Sequence, residues 1–223
     1  PQATLTHANP LTVAPVVELN DADFTTLAHL GMRGGQTGLW VRNASTDFTG
    51  SFLTVTNNSQ DGVRVEANCT VTGLDHVASA GNGRYGISIE GLVARLTDST
   101  VYNNRNTGIF LTAPGATQIE ANEVYGNDRH GLEVYNSVAS TTAVVGNADL
   151  ALGRGNSVHD NAQDGLYASG RVQVIGNTVY GHATPNTAGI EVHYGAEAWR
   201  NVVYGNSGGI FARAAGSPVS ENR

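Results

Sequence analysis

A glycine followed by apolar–x–apolar returns along most of this chain, and no other feature constrains its fold as tightly. Copies begin at Gly38 (GLWV), Gly62 (GVRV), Gly86 (GISI), Gly108 (GIFL), Gly131 (GLEV), Gly165 (GLYA), Gly189 (GIEV) and Gly209 (GIFA). Successive copies lie 20 to 24 residues apart, except for one step of 34 from Gly131 to Gly165. A β-branched or apolar run follows each Gly further on, as at Val71, Ile119, Val174 and Phe52 to Val55. A third signature opens at Val101 (VYNN), Val124 (VYGN), Val158 (VHDN), Val179 (VYGH) and Val203 (VYGN). Three short strands per period of this length predict one triangular coil of a solenoid, stacked on its neighbours at ~4.8 Å. A helical repeat would need a 3.6-residue period sustained over ten or more residues, and none occurs. Leucine-rich repeats share the period but need a Leu/Asn consensus that this chain lacks. The expected fold is therefore all-β, a right-handed single-stranded parallel β-helix of the pectate-lyase-like kind, with roughly 8 to 9 coils.

The domain reading follows from where the rhythm holds. Residues 1–30 are less regular and are expected to form an N-terminal cap or an irregular first coil, because an open solenoid end exposes strand edges. Residues 31–223 form the β-helix proper, with a loop insertion near 137–155 where the long step falls. The sequence stops within its own pattern and shows no clear C-terminal cap, so the helix is read as truncated there. It starts without a charged n-region or an apolar h-region, as a mature or excised segment would.

Composition narrows the function classes. The net charge is −7, and all twelve basic residues are Arg. Without a basic stripe the electrostatic footprint of nucleic-acid binding is missing. Without Lys, Schiff-base and P-loop chemistry are excluded. No apolar run is long enough for a membrane span. The single cysteine, Cys69, has no partner for an internal disulfide or a zinc pattern. No cofactor or metal is implied. Structural calcium at scattered Asp/Asn turns is possible, although calcium-binding nonapeptide repeats are missing.

Strand alternation predicts that the x residue of each Gly-strand points outward. That column reads Trp40, Arg64, Ser88, Phe110, Glu133, Tyr167, Glu191, Phe211. Half of it is aromatic, in a chain that is 7% aromatic. Two readings stand open: the rings cover one another along the ladder, or they form a platform on which flat sugar faces pack. Flanking positions add Arg84, Tyr85, Arg129, His130 and Asp164 before the glycines, and Glu66, Glu90, Tyr135, His193 and Arg213 after the strands. Arg can grip a uronate carboxylate through two hydrogen bonds, while Tyr, His, Glu or Asp can move the adjacent proton. The densest cluster is Arg129–His130 with Glu133, Tyr135, Asp164 and Tyr167. The catalytic candidates are Tyr85, Arg129, His130, Glu133 and Asp164. The substrate-binding candidates are Arg64, Phe110, Tyr135, Tyr167, Glu191 and His193. A second column, Tyr102, Tyr125, His159, Tyr180 and Tyr204, is either packing that closes the turn or a second sugar platform. Repeating Asn104, Asn127, Asn161 and Asn206 are expected to stack as an amide ladder.

The run VYGNDRHGLEV, Val124 to Val134, resembles a segment of the A-modules of bacterial mannuronan carbon-5 epimerases, parallel β-helices acting on alginate. The resemblance extends over the coils from about Tyr85 to Asn206, and its Asn-Asp-Arg-His-Gly run is more specific than the shared rhythm. It implies that Arg129 and His130 lie beside the substrate carboxylate and that Tyr85 matches the region of the family's catalytic Tyr. The chain departs from the family where Asp-Pro-His should follow, at Ser88, Ile89 and Glu90, and where an Asp should precede the next Gly, at Thr107. Either the chemistry has moved along the groove to Glu133, Asp164 or Glu191, or the module does not catalyse. The functional expectation is an extracellular or cell-surface bacterial β-helix meeting an acidic polysaccharide, as a monomer or part of a larger chain. Its activity would be that of a uronate epimerase or polysaccharide lyase, with Arg129 as neutraliser, His130 and Tyr85 moving protons, and Glu133 and Asp164 orienting. The alternative is a non-catalytic structural or adhesive repeat segment of a large surface protein. A trimeric tailspike-like fibre is a weaker third option.

Overall fold

The structure, a computed structural model, describes residues 2–7, 13–112, 115–138 and 140–223. It is a right-handed parallel β-solenoid. The Gly-strands form one sheet of nine strands, and a second sheet of 17 strands supplies the other two faces. In the nine-stranded sheet Leu39–Arg42, Val63–Val65, Ile87–Ile89, Ile109–Thr112, Leu132–Asn136, Leu166–Gly170 and Ala188–His193 pair in parallel, one per coil. Phe48–Thr56 and Thr70–Ala80 each bend from one face to the next, at Phe52 (φ 52°) and His76 (φ 51°). The run Phe52 to Val55 therefore ends on the third face, with Val55 opposite Met32 and Ser79, and not on the second face with Val71, Ile119 and Val174. A sharp left-handed residue lets two faces share one unbroken strand, and sequence spacing does not show where the bend falls.

The apolar pairs of the repeat fill the interior. Leu39, Val41, Val63, Val65, Ile87, Ile89, Ile109, Leu111, Leu132 and Val134 have no accessible surface. The repeat glycine is a packing residue. A Cβ on Gly131 would lie 2.4 Å from Val158 Cγ1 and 2.7 Å from the Gly165 carbonyl oxygen, closer than carbon atoms approach. The Val of the third signature thus packs directly on the glycine of the first, so the two motifs recur together. Gly126 is a glycine of the other kind, in the left-handed turn after the third strand (φ 63°).

Two amide ladders close the corners. The first runs Asn58, Asn82, Asn104, Asn127, Asn161, His182, Asn206. Asn104 Nδ2 donates to Asn127 Oδ1 at 3.0 Å, and Asn127 Nδ2 to Asn161 Oδ1 at 2.9 Å. The second, Asn122, Asn156, Asn177, Asn201, Asn222, has links of 2.8 to 3.0 Å and was not anticipated. Its signal is legible in hindsight as Asn-x-Val-x-x-Asn, spelled NEVYGN at 122–127 and NSVHDN at 156–161. Each such segment contributes one amide to each corner.

His182 stands where an Asn is expected. Its Nδ1 lies 2.8 Å from Asn206 Oδ1, which can only accept, so Nδ1 carries the proton. Nε2 must then accept from Asn161 Nδ2 at 3.2 Å. The buried ring is neutral, and burial lowers its pKa against the pull of Asn206, Asp160 and Asp164. A histidine whose folded pKa lies below its unfolded value, about 6.5, costs nothing well above that pH. Stability is lost as the pH falls below it, because only the unfolded chain takes up the proton. His182→Asn is expected to flatten this acid-side loss. Thermal melts between pH 4.5 and 8 should show wild type and variant converging at high pH; parallel curves would refute the assignment.

The long step does not form a single loop. Ala143–Gly146 is a regular strand in register with Gln118–Glu120 and Val172–Ile175. The extra residues are divided between 137–142 and 147–155, the latter carrying a short turn at Leu150–Leu152 capped by Asp149. Arg154 ties this turn back, 2.8 Å from Glu120 Oε1 and 2.9 Å from Asp98 Oδ2. At the start of the chain, Val17–Asn20, Thr26–Ala28 and Leu30–Arg33 pair with the following coil and complete a coil of their own. Residues 1 and 8–12 of the first segment, and residue 139 of the insertion, lie outside the described residues. Among the described residues no helix is long and apolar enough to cross a membrane.

Candidate functional site

The x residues of the Gly-strands align rung on rung. Trp40, Arg64, Ser88, Phe110, Glu133, Tyr167, Glu191 and Phe211 are consecutive register partners. Beside this column stands the row of residues preceding each glycine. Asp61, Tyr85, Thr107, His130 and Asp164 are linked coil to coil through the amides of Gly62, Gly86, Gly108 and Gly131. On the other side Thr112, Tyr135, Ser169 and His193 follow one another in register. The face is thus a three-column grid, and each coil contributes one residue to each column.

The column is more covered than an outward-pointing row suggests. Ser88 and Glu133 are buried, and Phe110, Tyr167 and Glu191 are half-buried, because neighbouring side chains lie across them. Tyr85 stacks on Phe110, with ring centroids 4.8 Å apart and planes 11° apart. Further along the rings tilt: Phe110 to Tyr135 is 63°, Tyr135 to Tyr167 46°, and His130 to Tyr167 45°. Tilted rings do not cover each other fully, so part of each ring face stays available from outside. The second aromatic column differs. Tyr102, Tyr125, His159, Tyr180 and Tyr204 stack at 4.7 to 5.1 Å with planes within 7° of parallel. Their faces are spent on one another and only edges point out. That decides for turn packing over a second platform.

Glu133 sits at the centre of the grid. Its Oε2 accepts from the Thr107 hydroxyl at 3.0 Å, and its Oε1 from the Tyr135 phenol at 2.7 Å. Burial, reinforced by the Glu133 charge, pushes the Tyr135 phenol far above the ordinary tyrosine range, so it remains a donor at any physiological pH. Burial and then Glu191 raise Tyr167 as well. His130 Nδ1 approaches Asp164 Oδ2 at 3.3 Å, too poorly aligned for a hydrogen bond. The other Asp164 oxygen accepts from the Ala188 amide at 2.6 Å. Burial opposes the Asp164 charge, but His130 and that amide outweigh it and hold the carboxyl below the usual range. Asp61, the counterpart four coils earlier, is raised by burial despite the Tyr85 amide and Arg84.

Of the predicted residues, His130, Glu133, Asp164, Tyr135, Tyr167, Glu191 and His193 form one connected patch. Tyr167 stacks on His193 at 5.0 Å, and His193 Nε2 lies 2.7 Å from Glu191 Oε1. Phe110 and Tyr85 border the patch. Arg129 stands at its rim, exposed, its Nε donating to Gln163 Oε1 at 3.2 Å. Arg64 stands apart, three rungs before Glu133, 3.9 Å from Glu66 and over the Trp40 ring. Thr107, flagged by the sequence only as a departure from the epimerase pattern, turns out to be a hydrogen-bond donor to Glu133. Its position before a glycine was the available signal. Chemically the patch can receive a ligand with an apolar face and hydroxyl edges. Glu133 can accept a proton, and His130 can pass one.

The profile described as "Right handed beta helix region" matches residues 37–223. The fold is similar to the mannuronan C-5 epimerase AlgE6 A-module of Azotobacter vinelandii, with a TM-score of 0.62 and 15% identity over 88% of this chain and 63% of that one. It is similar to tailspike protein 2 of Escherichia coli O157:H7 bacteriophage CAB120, with a TM-score of 0.68 and 14% identity over 91% of this chain and 31% of that one. The Azotobacter vinelandii AlgE4 A-module matches at a TM-score of 0.52 and 14% identity, covering 89% of this chain and 63% of that one. This chain thus spans less than two thirds of each of these structures. No curated protein matches the sequence. At these identities the likeness speaks for the fold.

Proposed function

We infer, from the premise that this chain belongs to the right-handed β-helix family, that the Gly-strand face docks an extracellular polysaccharide along the coils. The observation that carries the reading is the pair of adjacent aligned columns in which Phe110 and Tyr167, and Tyr135 beside them, keep tilted, half-covered rings next to fixed polar groups. Sugars present the same combination, a flat C–H face and hydroxyl edges. Two structures of the same fold are named for mannuronan, a polymer of this kind. Tyr167→Ala is expected to weaken glycan binding about tenfold through the lost ring contact. Binding measured by affinity electrophoresis against a panel of polysaccharides checks this, and unchanged mobility across the panel would remove the reading.

The finer proposal is epimerase- or lyase-type chemistry at a uronate. Glu133, fixed by Thr107 and Tyr135, takes the carbon-5 proton. Arg129 neutralises the charge that develops on the substrate carboxylate. His130, with the Asp164 carboxylate beside it, returns a proton to the opposite face of carbon 5 in an epimerisation. In a lyase the glycosidic oxygen leaves with that proton instead. Glu133 therefore takes the part of proton acceptor, and Tyr85, two rungs from His130, that of a ring contact. One observation favours the non-catalytic reading: Ser88, Ile89, Glu90 and Thr107 occupy the places of the family's Asp, Pro, His and second Asp. Polymannuronate followed by proton NMR and by absorbance of unsaturated ends separates the two. Binding without change in either signal would leave a carbohydrate-binding module.

A further inference from the structure

The charges on this face narrow the polymer, on the reading that the face binds one. Arg42 lies 3.4 Å from Glu18, Arg64 3.9 Å from Glu66, Arg84 3.9 Å from Asp61, and Arg213 3.4 Å from Glu191. His130 and His193 lie beside Asp164 and Glu191. These cations are already matched by carboxylates fixed in the face. A ligand carboxylate arriving at one of them would have to share it with its neighbour, at little net gain. Of the arginines named on this face, Arg129 alone has no carboxylate within ion-pair distance. Its partner is the neutral amide of Gln163, and its guanidinium is exposed with donors to spare. Glu90, two rungs before the Tyr135 position, is an exposed carboxylate with no cation in that range among the described residues.

We propose that this face takes a heteropolysaccharide whose acidic sugars are isolated, one carboxylate being held at Arg129 with neutral sugars on either side. A uronate placed further towards the N-terminus meets Glu90. One placed towards the C-terminus meets Glu191, whose charge is directed at His193 and Arg213. A homopolyuronate puts a carboxylate on every residue and so brings like charges to both flanks. An acidic sugar at Arg129 can instead form a bidentate guanidinium–carboxylate pair beside His130, while its neutral neighbours lie on Phe110 and Tyr167.

The whole chain, titrated by calorimetry, tests this with four polymers. They are polymannuronate, a neutral glucan, a heteropolysaccharide with one glucuronate per repeating unit, and the carboxyl-reduced form of that heteropolysaccharide. The heteropolysaccharide is expected to bind at least tenfold tighter than its reduced form and tighter than polymannuronate. Arg129→Gln should erase that preference, and Glu90→Gln should raise polymannuronate affinity several-fold. If polymannuronate binds tightest, or if Arg129→Gln leaves the preference intact, the inference is overturned while the docking surface stands. If none of the four polymers binds, docking and inference fail together.

Discussion

Asn127→Leu is expected to destabilise the fold by about 4 kcal/mol, a large loss for one side chain replaced by another of the same branched shape and heavy-atom count. Asn127 is almost fully buried and sits in mid-ladder. Its Oδ1 accepts from the backbone and side-chain nitrogens of Asn104, and its Nδ2 donates to the carbonyls of Val101 and Tyr125 and to Asn161 Oδ1. Leu supplies none of these contacts. The Asn104 amide is left without its acceptor, and no water can reach it. Since each coil is stabilised chiefly by its neighbours, the defect should also divide the solenoid into two cooperative blocks. Urea unfolding followed by circular dichroism should show a lower midpoint and a broadened or two-step transition. A single transition shifted by less than about 1 kcal/mol would mean that the ladder is ornamental to stability.

Glu133→Gln is expected to cut turnover of a uronate polymer by roughly 10²- to 10⁴-fold, the usual contribution of a positioned base. Binding should change far less, because Gln keeps the shape of the side chain, accepts from one of the two hydroxyls through its carbonyl oxygen and can donate to the oxygen of the other through its amide nitrogen. A fall in kcat with KM held within a few-fold identifies a group that acts in the transition state. A matched loss in binding would reassign Glu133 to holding the ligand. Thr107→Val provides a second reading of the same arrangement. It removes one of the two donors that fix the carboxylate, so it should lower kcat by a smaller factor than Glu133→Gln.

The repeat made the architecture legible. Eight glycines at nearly constant spacing required stacked coils, and alternation placed Phe110, Glu133, Tyr167 and Glu191 on consecutive rungs, as the register shows. The ladder through Asn104, Asn127 and Asn161 was legible for the same reason. The second ladder is harder to see in the sequence because its asparagines precede the valine of the third signature, outside the Val-x-x-Asn tail that repeats most visibly. The long step reads as one loop near 137–155 because sequence spacing counts the extra residues of the insertion without showing which of them keep the ladder. Ala143–Gly146 kept it because Gln118–Glu120 and Val172–Ile175 need a strand between them.

The sequence by itself determined the period, the inward and outward alternation, and therefore which residues share an edge. These are local consequences of strand geometry repeated along the chain. Ring tilt, the carboxylate shared by Thr107 and Tyr135, the pairing of each arginine on the face, and the exception at Arg129 were decided only in the tertiary structure. They depend on side-chain directions between residues about a coil apart in sequence but ~4.8 Å apart in space, and spacing carries no information about direction.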